Sequence, residues 1–472
     1  MPMIATANTN LLFACALSVM FAVSGCGTAG TAGPGGTGGI GAAGGTGGTA
    51  GTQEQQSTWK RFTDELAKAE EVVDDLVPDP VRETGILPVP EGAVYDRTPQ
   101  DDRNRAEGFR QLTRLLRLGL WSIGEYGFGQ MGDEHSQVFL ATDPTNSTGA
   151  TTSNALYFGM FPNGTDTYRI SGERGTFPLI EFNLQEGRVG YTLSASTADF
   201  LTERDMVFPE EGRFEVWISP ECESLAVDNC LTSTPDTTWL LIRQYAGKPW
   251  NQTSMTFHVD NMTTGQGKNP ATDIIRTEAE YAERLVEAAK FARNLAQHFK
   301  GNQELTRFYL EPNFLLSVNT GGGNALPNGH TFTTGHFAIE PDEALVIEFE
   351  APNDPVPPFW GFQVVDYWYR PIDYWSRMES SVSNETATPE ADGSYKVIMS
   401  AQDPGMCNWL DLKGYTHGGM QFRLSRDIDQ PRPDFALTLV KVAELQAAAP
   451  DELDCLERGP EDPRSPWLRL VD

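Results

Sequence analysis

The chain of 472 residues has no apolar run approaching the 18 or so residues of a membrane-spanning helix. It is also short of basic residues: 35 Lys and Arg stand against 65 Asp and Glu, a formal net charge of −30. That balance repels phosphate backbones and acidic headgroups, so it excludes nucleic acid as a partner and argues against adsorption to anionic lipid. Histidine and cysteine are scarce, six of each, and no CxxC spacing occurs, which disfavours a cysteine metal site. The GxSxG elbow, the HExxH pair, the Walker loop and SxxK with its partners are all missing. One formal GxGxxG, Gly36 to Gly41, follows no strand and opens no helix, so it is not a nucleotide site. These absences leave the cofactor unassigned.

What is present begins with Leu11–Val23 (LLFACALSVMFAV), an apolar run of signal-peptide length. Val23-Ser24-Gly25-Cys26 follows and resembles the lipobox of bacterial lipoproteins, with the Cys26 thiol as the acylation point. The segment before the run carries no Lys or Arg, a departure from the usual signal. Gly27–Gly51 then holds 13 glycines and no charged residue. Such a stretch cannot bury apolar surface and reads as a tether with a reach of roughly 25–30 Å. The expected partner is therefore a lipid bilayer through acylated Cys26, in the bacterial cell envelope, with the body facing periplasm or exterior. Export also suits the remaining cysteines. Cys222 and Cys230 flank an acidic loop that a disulfide would close, whereas nothing local demands that Cys407 and Cys455 pair.

The body divides by texture. Residues 1–25 read as signal peptide, 26–53 as tether and 54–128 as a helical segment. Within the last, Phe62, Leu66, Ala69, Val73 and Leu76 form one stripe, and Phe109, Leu112, Leu116 and Leu120 another. Residues 129–265 form a first β-block: TYRISGE, PLIEFNL, RFEVWIS, TWLLIRQY and MTFHVD alternate apolar and polar positions. Residues 266–311 hold a long central helix from a capping box at Thr277–Glu280, with His298 off its apolar stripe. Strand texture returns over 312–445, and 446–472 reads as an irregular tail. The expected fold is mainly β with helices (α+β): a jelly-roll-like antiparallel β-sandwich, as two packed lobes or one large sandwich. The two strand blocks are similar in length, with no evident residue-level repeat.

Three groups could carry chemistry. His330 and His336 are six apart, share a face of an extended chain, and with His417 and a carboxylate could ligate a metal. Phe359–Arg370 followed by Asp373-Tyr374-Trp375 is dense in aromatics; Trp360, Tyr367, Trp368, Tyr374 and Trp375 could line a pocket, with Asp366 and Arg370 orienting a ligand. Asp403-Pro-Gly-Met-Cys-Asn408-Trp-Leu-Asp411 opens on a turn, and Asn408 and Asp411 could equally cap backbone.

The third group carries a resemblance. ALVIEFEAP, FWGFQVVDYW and the stretch from Ser380 through Asp403-Pro-Gly-x-x-Asn408-Trp-Leu-Asp411, Gly414, Gly418 and Arg423 resemble the bacterial family catalogued as domain of unknown function 1214, over roughly residues 312 to 443. YRISGERG and LLIRQY resemble upstream segments of such proteins. The resemblance implies a jelly-roll-like sandwich without an established activity. Tyr415 stands where a His would be expected, with His417 two residues on. Two functions follow as expectations. One is a lipid-anchored module presenting a sandwich to a small-molecule or glycan ligand. The other is a hydrolase-like enzyme, metal-assisted or not, using Asp403, Asn408, Asp411, Arg423 and His417 in a cleft, with Asp366 and Arg370 positioning substrate.

Overall fold

The computed structural model describes residues 57–74, 102–125, 138–142, 149, 151–187, 196–209, 212–263, 266–267, 277–319, 330–352, 357–373, 378–425 and 433–459. Cys26, the apolar run, the glycine tether, Tyr374 and Trp375 lie outside the described residues. The architecture is α+β, with helices beside several antiparallel sheets arranged as sandwiches.

Three long helices pack on one another: Thr58–Asp74 (α1), Asp102–Gly119 (α2) with a π-helical turn at Leu120–Glu125, and Glu278–Tyr309 (α3). Their shared core includes Val72, Leu115, Leu118, Ala288, Phe291 and Leu295. At the α2–α3 crossing a Cβ on Gly119 would sit 2.7 Å from the Ala288 carbonyl oxygen, so only glycine admits this approach. The stripe expected on α2 is rotated. Phe109 is exposed, and Gly108, Gln111, Leu115 and Leu118 turn inward instead, because α2 must present the notch at Gly108 to the Trp368 indole. His298 is half-buried rather than solvent-facing, its ring edge-on to Phe299 at 5.1 Å. Burial pulls its imidazole down to about 4, so it is neutral at neutral pH.

The first lobe is built from Phe139–Leu140 (β1), Ala155–Met160 (β2), Tyr168–Glu173 (β3), Leu179–Glu186 (β4), Ser196–Thr202 (β5), Arg213–Ser219 (β6), Cys230–Thr232 (β7), Thr237–Tyr245 (β8), His258–Asn261 (β9) and Gln266–Gly267 (β10). The second uses Phe314–Asn319 (β11), His330–Ala338 (β12), Glu343–Phe349 (β13), Phe359–Val365 (β14), Ser381–Ser383 (β15), Tyr395–Ser400 (β16), Trp409–Asp411 (β17), His417–Ser425 (β18) and Phe435–Lys441 (β19), then a short helix, Val442–Ala448 (α4). In each lobe two sheets close on a hydrophobic core, around Ile180, Phe182, Val216 and Ile242 in one and around Ile347, Phe362, Val397 and Phe422 in the other.

The two lobes have the same topology. Sheet β1-β2-β8-β4-β5 corresponds strand for strand to β11-β12-β18-β14-β15, and β9-β3-β6-β7 to β19-β13-β16-β17. Each lobe has one parallel pair in an otherwise antiparallel arrangement, β6–β7 and β16–β17. Residues 202–219 and 383–400 run in step without a gap. Gly212 and Gly393 sit at matching positions with φ of 79° and 89°, and Val216, Ser219 match Val397, Ser400. After loops of unequal length, Asn229 and Leu231 match Asn408 and Leu410. The sequence hides this repeat because so few positions are identical and the loops differ in length.

Both predicted blocks therefore fold as sandwiches, and Cys222 bonds Cys230 across a separation of 8 residues. Cys407 also bonds Cys455, across 48 residues, and pulls the tail back onto the second lobe. By the loop-entropy relation the longer bridge is the stronger constraint on the unfolded chain, about 4 kcal/mol against about 2.6 kcal/mol. The predicted tail begins within α4, and its described remainder, residues 449–459, is irregular but fastened. The Arg458 guanidinium donates to the carbonyls of Trp409, Met378, Glu379 and Ser381, tying the edges of both sheets together.

The duplication generates a prediction. Asn229 donates to the carbonyls of Val207 and Glu215 and accepts from Val207 N, at 2.7–2.8 Å. Asn408 makes the equivalent bonds with Thr388 and Lys396, at 2.8–3.0 Å. Asn229→Ala and Asn408→Ala should each cost about 2–3 kcal/mol, since three backbone groups lose their partners. Asn408→Ala should cost about 1 kcal/mol more, because Asn408 sits at φ 57° and Asn229 does not. Urea unfolding midpoints check this; an Asn408→Ala variant as stable as wild type would refute the architectural role.

Candidate functional site

The Asp403–Asp411 motif is spent on architecture. Asp403 accepts from Gly405 N at 2.8 Å and shapes the turn that Pro404 begins. Asn408 is the strap described above. Asp411 accepts from Lys413 N at 2.7 Å, pairs with Lys413 Nζ at 2.8 Å, and its carbonyl accepts from Ser380 at 2.6 Å. Tyr415, in place of the expected His, lies under Arg103 with the guanidinium 3.7 Å from its ring centroid. Burial pushes its hydroxyl up to about 12, with Asp366 and Glu107 adding to the effect.

Nor do the suggested catalytic groups gather. His336 and His417 share one face of the β12–β18 pair at diagonal positions, since His336 faces Gly419 and His417 faces Ala338. His330 opens β12 opposite Ser425, six residues before His336. Asp411 belongs to the other sheet, and His417 Nδ1 lies 2.9 Å from Thr416 Oγ1. Among the described residues no three His, Cys, Asp or Glu side chains could hold a metal ion together.

The described aromatics of the run, Trp360, Tyr367 and Trp368, are buried in packing. Trp360 sits in the second core between Phe349, Tyr395 and Phe422. Tyr367 and Trp368 are buried against the helices: Tyr367 donates to Glu304 at 3.0 Å, and the Trp368 indole donates to the Asn104 carbonyl at 2.9 Å. These rings sit on a tight loop after β14, where Asp366 accepts from the Trp368 and Arg370 amides at 2.9 and 3.0 Å. Tyr369 is held there at φ 64°, a strained conformation for a bulky residue. Arg370 fills the loop with charge, donating from Nε to Asp366 at 2.8 Å and from Nη2 to both Asp366 and Glu107. So Asp366 and Arg370 lock the second lobe to α2.

A second polar region lies between the lobes, and sequence reasoning missed it. The first and second lobes present the outward faces of β2-β8-β4 and β12-β18-β14 to each other, meeting where the Tyr245 and Phe359 rings pack at 5.2 Å, tilted by 35°. Both faces are buried, and among apolar rings such as Tyr157, Trp239 and Phe359 each carries polar side chains. On the first, Arg243 pairs with Glu181 at 3.3 Å beside Tyr157 and Tyr245; burial, reinforced by Glu181, raises the Tyr245 hydroxyl well above its usual range. On the second, Gln363 accepts from Ser153 N at 3.0 Å and donates to the Thr151 carbonyl at 2.6 Å and to Gln421 Oε1 at 2.8 Å, so it joins the lobes. Tyr369 reaches Thr334 at 3.4 Å, and His336 is buried alongside.

Register makes Arg423 the counterpart of Arg243. Arg243 stands between Tyr157 and Glu181, Arg423 between Phe332 and Gly361, its guanidinium 4.8 Å from the Phe332 centroid. The helix α3 caps the layer with Gln303, which is fully buried over Gly419. Neither polar atom of the Gln303 amide has a hydrogen-bond partner among the described residues, and nor does Asn183 Oδ1 on the opposite lobe. Buried amides are nearly always bonded, so these atoms are the exceptional polar groups of the layer. The only available signal was the polar set at alternate positions of otherwise apolar strands: Glu181, Asn183, Gln363, Gln421.

No protein-family model and no curated protein matches the chain. Among solved structures it resembles an uncharacterised protein from Burkholderia cenocepacia, at 26% identity and a TM-score of 0.67, covering 82% of this chain and 97% of that one. A protein from Vibrio parahaemolyticus matches at 12% identity and a TM-score of 0.39, over 70% of this chain and 98% of that one, too slight a likeness to argue from. The shared architecture thus extends over nearly the whole of the Burkholderia chain.

The lock at Arg370 makes a pH prediction. The Glu107 carboxyl feels burial, which raises its pKa, but the hydrogen bond and charge of Arg370 outweigh that and hold it below 4.5. A depressed carboxyl stabilises the fold above its unfolded value and loses that contribution as pH falls through the folded one. Glu107→Gln should therefore be less stable than wild type at pH 7, by about 1 kcal/mol. The gap should narrow steadily as pH falls below 4.5 in urea titrations, because protonation of Glu107 in the folded state removes the charge; a gap that does not change with pH would show that charge is not what Glu107 contributes.

Proposed function

We propose that this chain is a lipid-anchored protein of the bacterial cell envelope that binds a small polar ligand, such as a sugar, between its two β-lobes. The single observation that carries the reading is the buried Gln303 amide with no partner among the described residues, held by α3 over Gly419 on the outward face of the second lobe's sheet. A ligand with hydroxyl or amide groups would supply the missing bonds. The hydrolase alternative has less support, because Asp403, Asn408 and Asp411 serve turns and strand edges rather than a common cleft. The anchor reading rests on Cys26 behind its apolar run and ahead of the glycine tether, together with two disulfides that suit an oxidising compartment.

Two measurements test these parts separately. Thermal-shift screening of the full chain against sugars and small amides should yield a ligand that stabilises wild type, by about 2.7 kcal/mol at a hundredfold excess over Kd. The stabilisation should vanish in Gln303→Leu and Gln421→Leu. Stabilisation that survives both substitutions, or none from any solute, overturns the interlobe site. For the anchor, alkynyl-palmitate labelling in cells should mark the protein and be abolished by Cys26→Ala; labelling that persists in that variant overturns acylation at Cys26.

A further inference from the structure

Helix α2 carries five arginines and no lysine within 18 residues, in a chain where acidic residues far outnumber basic ones. At about 100° per residue, Arg103, Glu107, Arg110 and Arg114 share an arc of about 60° on its surface. The direction of this stripe is set by two of its members. Glu107 receives the Arg370 guanidinium, and Arg103 lies flat on Tyr415 while donating to the Lys413 carbonyl at 2.9 Å. The stripe thus faces the Asp366–Arg370 loop, with Arg103 and Arg110 exposed, Arg114 half-buried and Arg370 buried beneath.

The carboxylates here are already committed. Asp366 bonds Arg370 and the loop amides; Glu107 bonds Arg370 and, at 3.2 Å, Arg110. Arg114 makes no hydrogen bond or ion pair with any described residue. Burial and the neighbouring charges of Arg370 and Arg110 lower its guanidinium to about 10, the reverse of what a paired arginine shows. Four guanidiniums against two carboxylates leave local positive charge that a doubly charged group would neutralise.

We propose that Arg114, with Arg110 one turn before it and Arg370 close by, binds a phosphate group carried by a small phosphorylated ligand or by a phospholipid headgroup. A guanidinium fork matches two phosphate oxygens, and the neighbouring guanidiniums add favourable charge for a doubly charged group. This site is separate from the interlobe layer and stands whether or not that layer binds a ligand.

The test uses the full chain carrying Cys26→Ala, so that no acyl group drives flotation, at constant ionic strength. Calorimetric titration with inorganic phosphate reads the free-ligand source; flotation with phosphatidylglycerol vesicles, against phosphatidylcholine vesicles, reads the headgroup source. In either arm Arg114→Gln should weaken binding about tenfold or more, Arg114→Lys should weaken it less, and Arg213→Gln, an exposed arginine on the first lobe, should leave it unchanged. Phosphate binding alone assigns a soluble ligand, and phosphatidylglycerol binding alone assigns a lipid; both support the site. No binding in either arm, or binding that Arg114→Gln leaves within twofold of wild type, overturns it.

Discussion

Every residue of β14 and seven of the eight in β4 are buried, so the central sheets of both lobes are covered on each face. One face closes a hydrophobic core; the other is pressed against the opposite lobe and the helix layer. A sheet buried on both sides has to satisfy whatever polar groups its outer face carries, with no water to help. The Glu181–Arg243 pair, the Gln363 bridge to Ser153 and Thr151, and the Asp366–Arg370–Glu107 lock each meet that requirement. It is not met at Gln303, at Asn183 Oδ1 or at Gln421 Nε2, which have no hydrogen-bond partner among the described residues.

The repeated lobe gives a way to separate architecture from function. Asn408, the most distinctive residue of the 403–411 motif, does in the second lobe what Asn229 does in the first, holding the start of a parallel edge strand to two neighbouring segments. A residue whose role is duplicated at the same place in both lobes is explained by the fold. The arginine pair behaves differently. Arg243 has Glu181 as cross-strand neighbour, whereas Arg423 has Gly361 there and an aromatic ring beneath. The lobes keep the same frame and diverge in the layer between them.

Much of the fold was legible from alternation and helical spacing. TYRISGE, RFEVWIS and YKVIMSAQ all lie in strands, and the capping box at Thr277 stands just ahead of α3. β2 escaped notice because all six of its residues are buried, leaving no alternation to see. The α2 face was misjudged because its hydrophobic spacing favours Phe109, while the close approach of Trp368 demands Gly108. Of the candidate site, Asp366 and Arg370 were visible as an unusual pair in an aromatic run, but their partner Glu107 lies 259 residues before Asp366 and no local pattern connects them.

Local physics explains what the sequence alone could determine. Apolar period, turn residues, charge balance and cysteine spacing act over a few residues to a few tens, so strands, helices, the tether and the Cys222–Cys230 loop follow from them. The tertiary structure decided the rest: that the two β-blocks are copies of one topology, that Cys407 bonds Cys455, that Trp360, Tyr367 and Trp368 are packed, and that the outward faces of the two lobes meet. Each of those depends on contacts between distant segments, whose free energy comes from burial and pairing across the fold rather than from anything encoded within a single stretch.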